Sequence, residues 1–175
     1  YHPNTKINNT FDELKIIFYF FQNFKNIQFI FTSSNNDIGG IKVNREIVNF
    51  CKKNNNTLFI HSFGYKYYYS VLNECNIMIG NSSSGIIEAP VLGLPVINLG
   101  NRQDGRFFDK KIVSIEFNKS KIINQINKIL FKTKYKNKKF DRTNINFNKN
   151  THRSIYKIIN SFKINKNVIK KFYDN

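Results

Sequence analysis

The chain has 175 residues, 41% hydrophobic and 15% aromatic, enough for one domain with a real core or for one half of a two-lobed protein. No apolar run nears the ~20 residues of a transmembrane helix, no signal-peptide pattern is visible, and two cysteines without CxxC spacing give neither a disulfide framework nor a metal site. The net charge of +17 raises nucleic acid as a partner, but residues 1–118 hold 12 Lys/Arg against 9 Asp/Glu while 119–175 hold 16 against 2, so the excess sits in the tail.

That bias matches a chain dominated by Lys, Asn and Ile, with alanine only at Ala89, as compositional drift in an AT-rich genome would produce. A solvated basic surface is therefore preferred to a specific nucleic-acid or membrane contact. The chain begins at Tyr1 rather than Met. We expect the strand that should lead into Tyr1-His2-Pro3 to lie outside it, and read the chain as a C-terminal piece. Cys51 and Cys75 fall on apolar helix faces and are expected to be buried, reduced thiols, in keeping with a cytoplasmic protein.

In chain order, the apolar periodicity alternates between two kinds of segment. "TFDELKIIFYFFQNF" (10–24) predicts a helix, with Thr10 as N-cap and Glu13 completing a capping box. "NIQFIFT" (26–32) predicts a buried strand, "GIKVNREIVNFCKKN" (40–54) a helix, "TLFIH" (57–61) a strand and "YKYYYSVLNEC" (65–75) a helix. "NIMIG" (76–80) is a strand, "SSGIIEAPVLG" (83–93) a short helix containing Pro90, and "PVINLG" (95–100) and "KIVSIE" (111–116) are strands. Helices over 119–131 and 152–162 close the pattern, the second followed by a basic tail. This order predicts an α/β fold, a Rossmann-like parallel sheet with helices on both faces. Right-handed crossovers then gather the loops after the strands, 33–40, 62–64, 80–85 and 100–106, on one ligand-binding edge. We read 1–131 as the lobe and 132–175 as a basic C-terminal helix and tail.

One block departs from the lysine-rich background. In "MIGNSSSGIIEAPVLGLPVINLGNRQDGR" (78–106) a strand ends in glycine, a serine turn follows, and a helix starts. Such a turn presents unpaired first-turn amides, partial positive charge and neutral hydroxyl donors, and so suits a phosphate. Plain helix capping by serine is the alternative. It predicts Glu three residues after the cap, whereas Glu88 lies four after Ser84 and five after Ser83. A carboxylate one turn in can accept from two vicinal hydroxyls of a ribose. Arg102 and Arg106 are two of only five arginines, and arginine grips phosphate with a bidentate fork. His2 stands just past the expected strand end. Asn35 and Asp37 either bind sugar hydroxyls or merely form a turn.

With "YHPNT" upstream and "SSNNDIGG" between, this block closely resembles the UDP-N-acetylglucosamine 2-epimerases over about residues 1–131, best the hydrolysing branch. The non-hydrolysing branch typically shows "SGG…EEAP" and lacks "GxRQxGR". The resemblance implies the C-terminal, UDP-binding lobe of a two-lobed GT-B fold, with the N-terminal lobe outside this chain. Matched by motif, Ser82 and Ser83 would hold phosphates, Glu88 the ribose, and Arg102 the diphosphate. His2 would be the catalytic histidine beside the reacting sugar, Asn35 would line the site, and the backbone at Phe63 would meet uracil. Asn101 stands where the family often has Asp. The implied reaction eliminates UDP to a 2-acetamidoglucal and adds water to give N-acetylmannosamine, for sialic or nonulosonic acid synthesis. Its acid and base carboxylates belong to the other lobe, so this piece alone is expected to be inactive. No cofactor or metal is implied; the partners are a UDP-sugar and the other lobe, with homo-oligomerisation left open. Half of a GT-B UDP-sugar glycosyltransferase, a basic RNA- or membrane-associating module, and a non-catalytic remnant are the competing readings.

Overall fold

A computed structural model describes residues 1–3, 9–132, 140–144 and 146–163. Asn4 and Thr5 of "YHPNT" and the end of the basic tail, 164–175, lie outside the described residues. In chain order the elements are α1 (Thr10–Gln22), β1 (Phe29–Thr32), α2 (Gly40–Lys52), β2 (Thr57–Ile60), α3 (Gly64–Glu74), β3 (Met78–Gly80), α4 (Ser84–Ile87), β4 (Val96–Leu99), β5 (Ile112–Ile115), α5 (Lys119–Asn127) and α6 (Thr151–Ser161). Every strand pairing is parallel, and helices flank the strands, giving the expected α/β architecture.

The pairing falls into two parts. β1 pairs with β2, and β3-β4-β5 form a separate three-stranded sheet. The single sheet that the strand–helix alternation predicts is thus divided between β1 and β3.

β4 is the centre of the larger sheet, and all four of its residues are buried. Period-two alternation sends them to opposite faces. Val96 joins Leu72, Ile86, Ala89, Leu94 and Ile112 in one cluster. Ile97 and Leu99 join the larger core under α1, α2 and α5, built on Leu14, Ile17, Phe20, Val43, Ile47, Ile122 and Ile126. Two clusters on two faces are what a strand buried on both sides requires. At about 25 cal/mol per Å² these apolar side chains supply the main drive for folding.

Three local expectations change. The N-cap of α1 is Asn9, not Thr10, and it makes no side-chain cap bond; the Asn9 carbonyl takes the N–H groups of Asp12 and Glu13. The Glu13 carboxylate is buried and accepts from the Tyr1 hydroxyl instead of closing a capping box. The helix expected over 83–93 lasts one turn as α4 and gives way to turns through Gly93. Pro90 disfavours helical geometry at Ala89 and has no N–H to give. Finally, Cys51 and Cys75 are only partly buried, and no disulfide joins them. Burial still raises the Cys51 thiol's pKa.

The helix expected over 119–131 is α5, whose last turns, Lys128–Lys132, widen into a π-helix. Residues 140–144 and Asn146 return to the lobe: Lys111 pairs with Asp141 at 2.5 Å, the Asn144 amide donates to Asp109, and Asn146 donates to the Ile86 carbonyl. α6 is strongly amphipathic but buries no residue among those described. No helix of the described residues is long and apolar enough to cross a membrane.

Candidate functional site

The site is built on the loops that leave the C-terminal ends of the strands. β3 ends at Gly80, whose φ of +149° is a backbone that side-chain-bearing residues rarely adopt. This bend delivers Asn81, and Asn81 organises the edge. Its side chain is buried; its Oδ1 accepts from the His2 N–H at 2.8 Å while its Nδ2 donates to the His2 carbonyl at 2.8 Å. Its own carbonyl accepts twice, from the Arg102 guanidinium at 3.1 Å and from the Gln103 amide at 2.8 Å. One residue therefore ties the His2 segment to the loop after β4.

The loop after β1 closes on the same point. Asn44 of α2 accepts the Ser34 N–H at 2.7 Å, and Gly40 lies so close to Asn35 that an added Cβ would sit 2.1 Å from the Asn35 carbonyl oxygen. Held in this way, the Asn35 N–H donates to His2 Nδ1 at 3.0 Å. That bond makes Nδ1 an acceptor, so the neutral ring carries its proton on Nε2. Burial above all, with the Arg102 charge beside it, lowers the His2 pKa to about 4. The imidazole is neutral at physiological pH and has one N–H to offer. Arg102 also lies 3.7 Å from Asp37, a partly exposed pair that orients the guanidinium more than it stabilises the fold.

The serine turn follows Asn81. Ser82 Oγ accepts the Ser84 N–H at 3.3 Å, and Ser83, the N-cap of α4, makes no side-chain cap bond. Capping thus occupies Ser82 in part, and the amides of Ser82 and Ser83 stand outside the helical ladder. Ser84 Oγ lies 2.5 Å from the Tyr68 hydroxyl of α3. Burial raises the Tyr68 pKa, and the charge of nearby Glu88 adds to the shift. Glu88 Oε2 is buried and has no hydrogen-bond partner. A buried carboxylate oxygen without a donor is costly unless a ligand supplies one.

The structure therefore brings His2, Asn35 and Arg102 together around Asn81, with Ser82, Ser83 and Glu88 on the next turn. Phe63 is half-buried ahead of α3, on a different loop of the same edge. Asn81, Gln103 and Tyr68 were not singled out from the sequence. The first two sit inside motifs that were, "NSSSG" and "RQDGR", but their work is tertiary hydrogen bonding that spacing does not reveal. Among the described residues no three His, Cys, Asp or Glu side chains group as a metal site.

Comparison with known proteins gives a consistent picture. A family model described as UDP-N-acetylglucosamine 2-epimerase matches residues 1–160. The GDP/UDP-N,N'-diacetylbacillosamine 2-epimerase (hydrolyzing) of Campylobacter jejuni is 38% identical over 120 residues, 67% of this chain and 31% of that protein. The polysialic acid biosynthesis protein P7 of Escherichia coli is 34% identical over 179 residues, 99% of this chain and 45% of its own length. The UDP-N-acetylglucosamine 2-epimerase of Neisseria meningitidis is 32% identical over 53% of this chain and 24% of that protein. The chain thus spans less than half the length of these curated relatives.

Proposed function

The chain belongs to the UDP-N-acetylglucosamine 2-epimerase family, and from that premise we propose that residues 1–131 form the nucleotide-gripping lobe of a hydrolysing 2-epimerase that acts on a UDP-sugar. The observation that carries this reading is the buried, unpartnered Oε2 of Glu88, one turn beyond a serine loop whose first amides lie outside the helix. A ribose supplies two vicinal hydroxyl donors to such an oxygen. The Ser82 and Ser83 amides and the Ser83 hydroxyl receive the diphosphate, and Arg102, already turned toward the Asn81 carbonyl, neutralises it. Asn35 holds the edge of the site, and the backbone near Phe63 meets the base.

In this reading the lobe's chemical task is to stabilise the departing diphosphate. Elimination of UDP across C1 and C2 of the sugar leaves a 2-acetamidoglucal, and water then adds at C1 to release the free 2-epimer. Neutral His2 donates from Nε2 toward the leaving oxygen or the sugar, because its Nδ1 is already taken by Asn35. Asp104 stands exposed in the turn that Asn101 begins, and no carboxylate of this cluster is offered as the C2 base. That base and its partner acid are assigned to the other lobe of a two-lobed enzyme in the cytoplasm.

A second sugar deserves equal testing. The Campylobacter relative is named for a diacetylated bacillosamine carried on GDP or UDP. Such a sugar differs at C4 and C6, positions remote from the diphosphate grip described above. Calorimetric titration of the chain with UDP and with GDP tests the nucleotide assignment. UDP binding that Glu88→Gln abolishes supports it, and absence of binding by either nucleotide at millimolar concentration refutes it.

A further inference from the structure

α3 carries four tyrosines, and they do not share one environment. Tyr65, Tyr67 and Tyr69 are exposed, whereas Tyr68 is half-buried. Tyr68 lies one turn before Leu72, the buried residue of α3, and on a helix residues four apart share a face. Its ring packs on the cluster that holds Leu72, Ile86, Ala89 and Val96. A phenol turned inward needs a partner for its hydroxyl, and this one meets Ser84 Oγ at 2.5 Å.

Ser84 is where the serine turn and Glu88 are joined. Its N–H goes back to Ser82 Oγ at 3.3 Å. Its carbonyl goes forward, accepting the N–H groups of Glu88 and Ala89, both at 3.0 Å. α4 has only four residues, and its N-cap Ser83 makes no side-chain cap bond. One helical turn does not hold its own geometry in water, so the spacing from Ser82 to Glu88 needs support from another element. The Tyr68 hydroxyl gives it, reaching the Ser84 side chain from α3. Burial, above all, raises the Tyr68 pKa, so the phenol stays protonated at neutral pH beside the Glu88 charge.

We propose that Tyr68 is a positioning residue: through Ser84 it sets the distance between the diphosphate grip at Ser82 and Ser83 and the ribose grip at Glu88. The assignment rests on the nucleotide reading given above. A ligand that spans two grips gains over its separate parts only when their spacing is fixed beforehand. Tyr68 suits that task because its ring is stiff and is anchored on the core, while its hydroxyl alone touches the turn. Removing the hydroxyl leaves the ring, its packing and both grips in place, and takes away only the tether. The loss therefore falls on a nucleoside diphosphate and hardly on a nucleoside or a phosphate taken singly.

Calorimetric titration and amide exchange of the Tyr68→Phe chain test this. UDP affinity falls about five- to tenfold, while affinities for uridine and for inorganic phosphate change by about twofold or less. Ser84→Ala reproduces the pattern, and the double variant is no weaker than either single one. The exposed neighbour changed in the same way, Tyr69→Phe, binds UDP as the parent does. Without ligand, the Glu88 and Ala89 amides, which donate to Ser84, exchange about fivefold faster or more in Tyr68→Phe, whereas the Ile122 and Ile126 amides of α5 exchange as in the parent. Unchanged UDP affinity in Tyr68→Phe overturns the proposal, and so do single losses that add in the double variant. Equal losses for UDP, uridine and phosphate overturn it, and faster exchange throughout α5 does too, by making Tyr68 a general support of the fold. A parent chain that binds no UDP at millimolar concentration refutes the nucleotide reading and the proposal with it, whereas a parent that binds UDP as tightly as Tyr68→Phe refutes the proposal alone.

Discussion

His2 and Asn81, 79 positions apart, hold each other by two reciprocal hydrogen bonds of 2.8 Å, backbone N–H to side-chain oxygen and side-chain amide to backbone carbonyl. Asparagine suits this task because it offers one acceptor and one donor in a plane, as a peptide does. Asn81→Ala leaves two His2 backbone groups unpaired and is expected to cost about 2–3 kcal/mol. Asn81→Asp keeps the acceptor but not the donor and should fall between Asn81→Ala and the parent. Urea denaturation of the three proteins measures the series.

The pH dependence has a definite sign. His2 titrates at about 4 in the folded chain because burial disfavours the imidazolium, against about 6.5 when unfolded. Between those values the unfolded chain binds more protons, so the His2 contribution is complete above pH ~6.5 and is lost as the pH falls toward 4. His2→Asn should flatten that part of the stability profile. Urea midpoints between pH 7 and 4, with NMR titration of the His2 ring, check it.

Gly40→Ala would place a methyl group 2.1 Å from the Asn35 carbonyl oxygen, a backbone atom that cannot rotate away. The loop must shift, and the Asn35 N–H bond to His2 shifts with it. A loss of about 1–3 kcal/mol is expected, as for overpacking in general. The accompanying signature is a rise in the His2 pKa, because the imidazole becomes more accessible to water. Denaturation and the same ring titration read the two effects.

Much of this architecture was legible in the sequence, and what was not has physical reasons. Each strand contains the centre of its predicted apolar run, but only β4 is buried along its whole length, whereas Ile30 of β1, expected in a buried strand, and Leu58 of β2 are exposed. The ends are shorter, since periodicity reports burial and not pairing. For the same reason the pattern could not show that β1 and β3 do not pair. The Thr10 capping box fails because Glu13 meets the Tyr1 hydroxyl, 12 residues away in sequence, a tertiary competitor that local spacing does not contain. The serine turn and Arg102 stood out by composition. Asn81 and Gln103 did not, because in an asparagine-rich chain a buried amide looks like any other.

Arg102 is expected to act on ligand more than on folding, because its side chain is partly exposed and its ion pair with Asp37 is loose. Arg102→Ala should weaken UDP binding about tenfold or more while changing stability by less than about 1 kcal/mol. Arg102→Lys should recover only part of the affinity, since a point charge replaces a planar fork. Titration calorimetry alongside denaturation separates the two quantities.

The central claim is that the turn after β3 receives the diphosphate of a uridine nucleotide and Glu88 receives its ribose. NMR observation of the backbone amides during titration with UDP, uridine and inorganic phosphate addresses it most directly. The account predicts that UDP shifts Ser82, Ser83 and Ser84 together with Glu88, that phosphate shifts the serines alone, and that Glu88→Gln suppresses the uridine response. Shifts confined to the basic segment 119–163, or serine amides unmoved at saturating UDP, would contradict it.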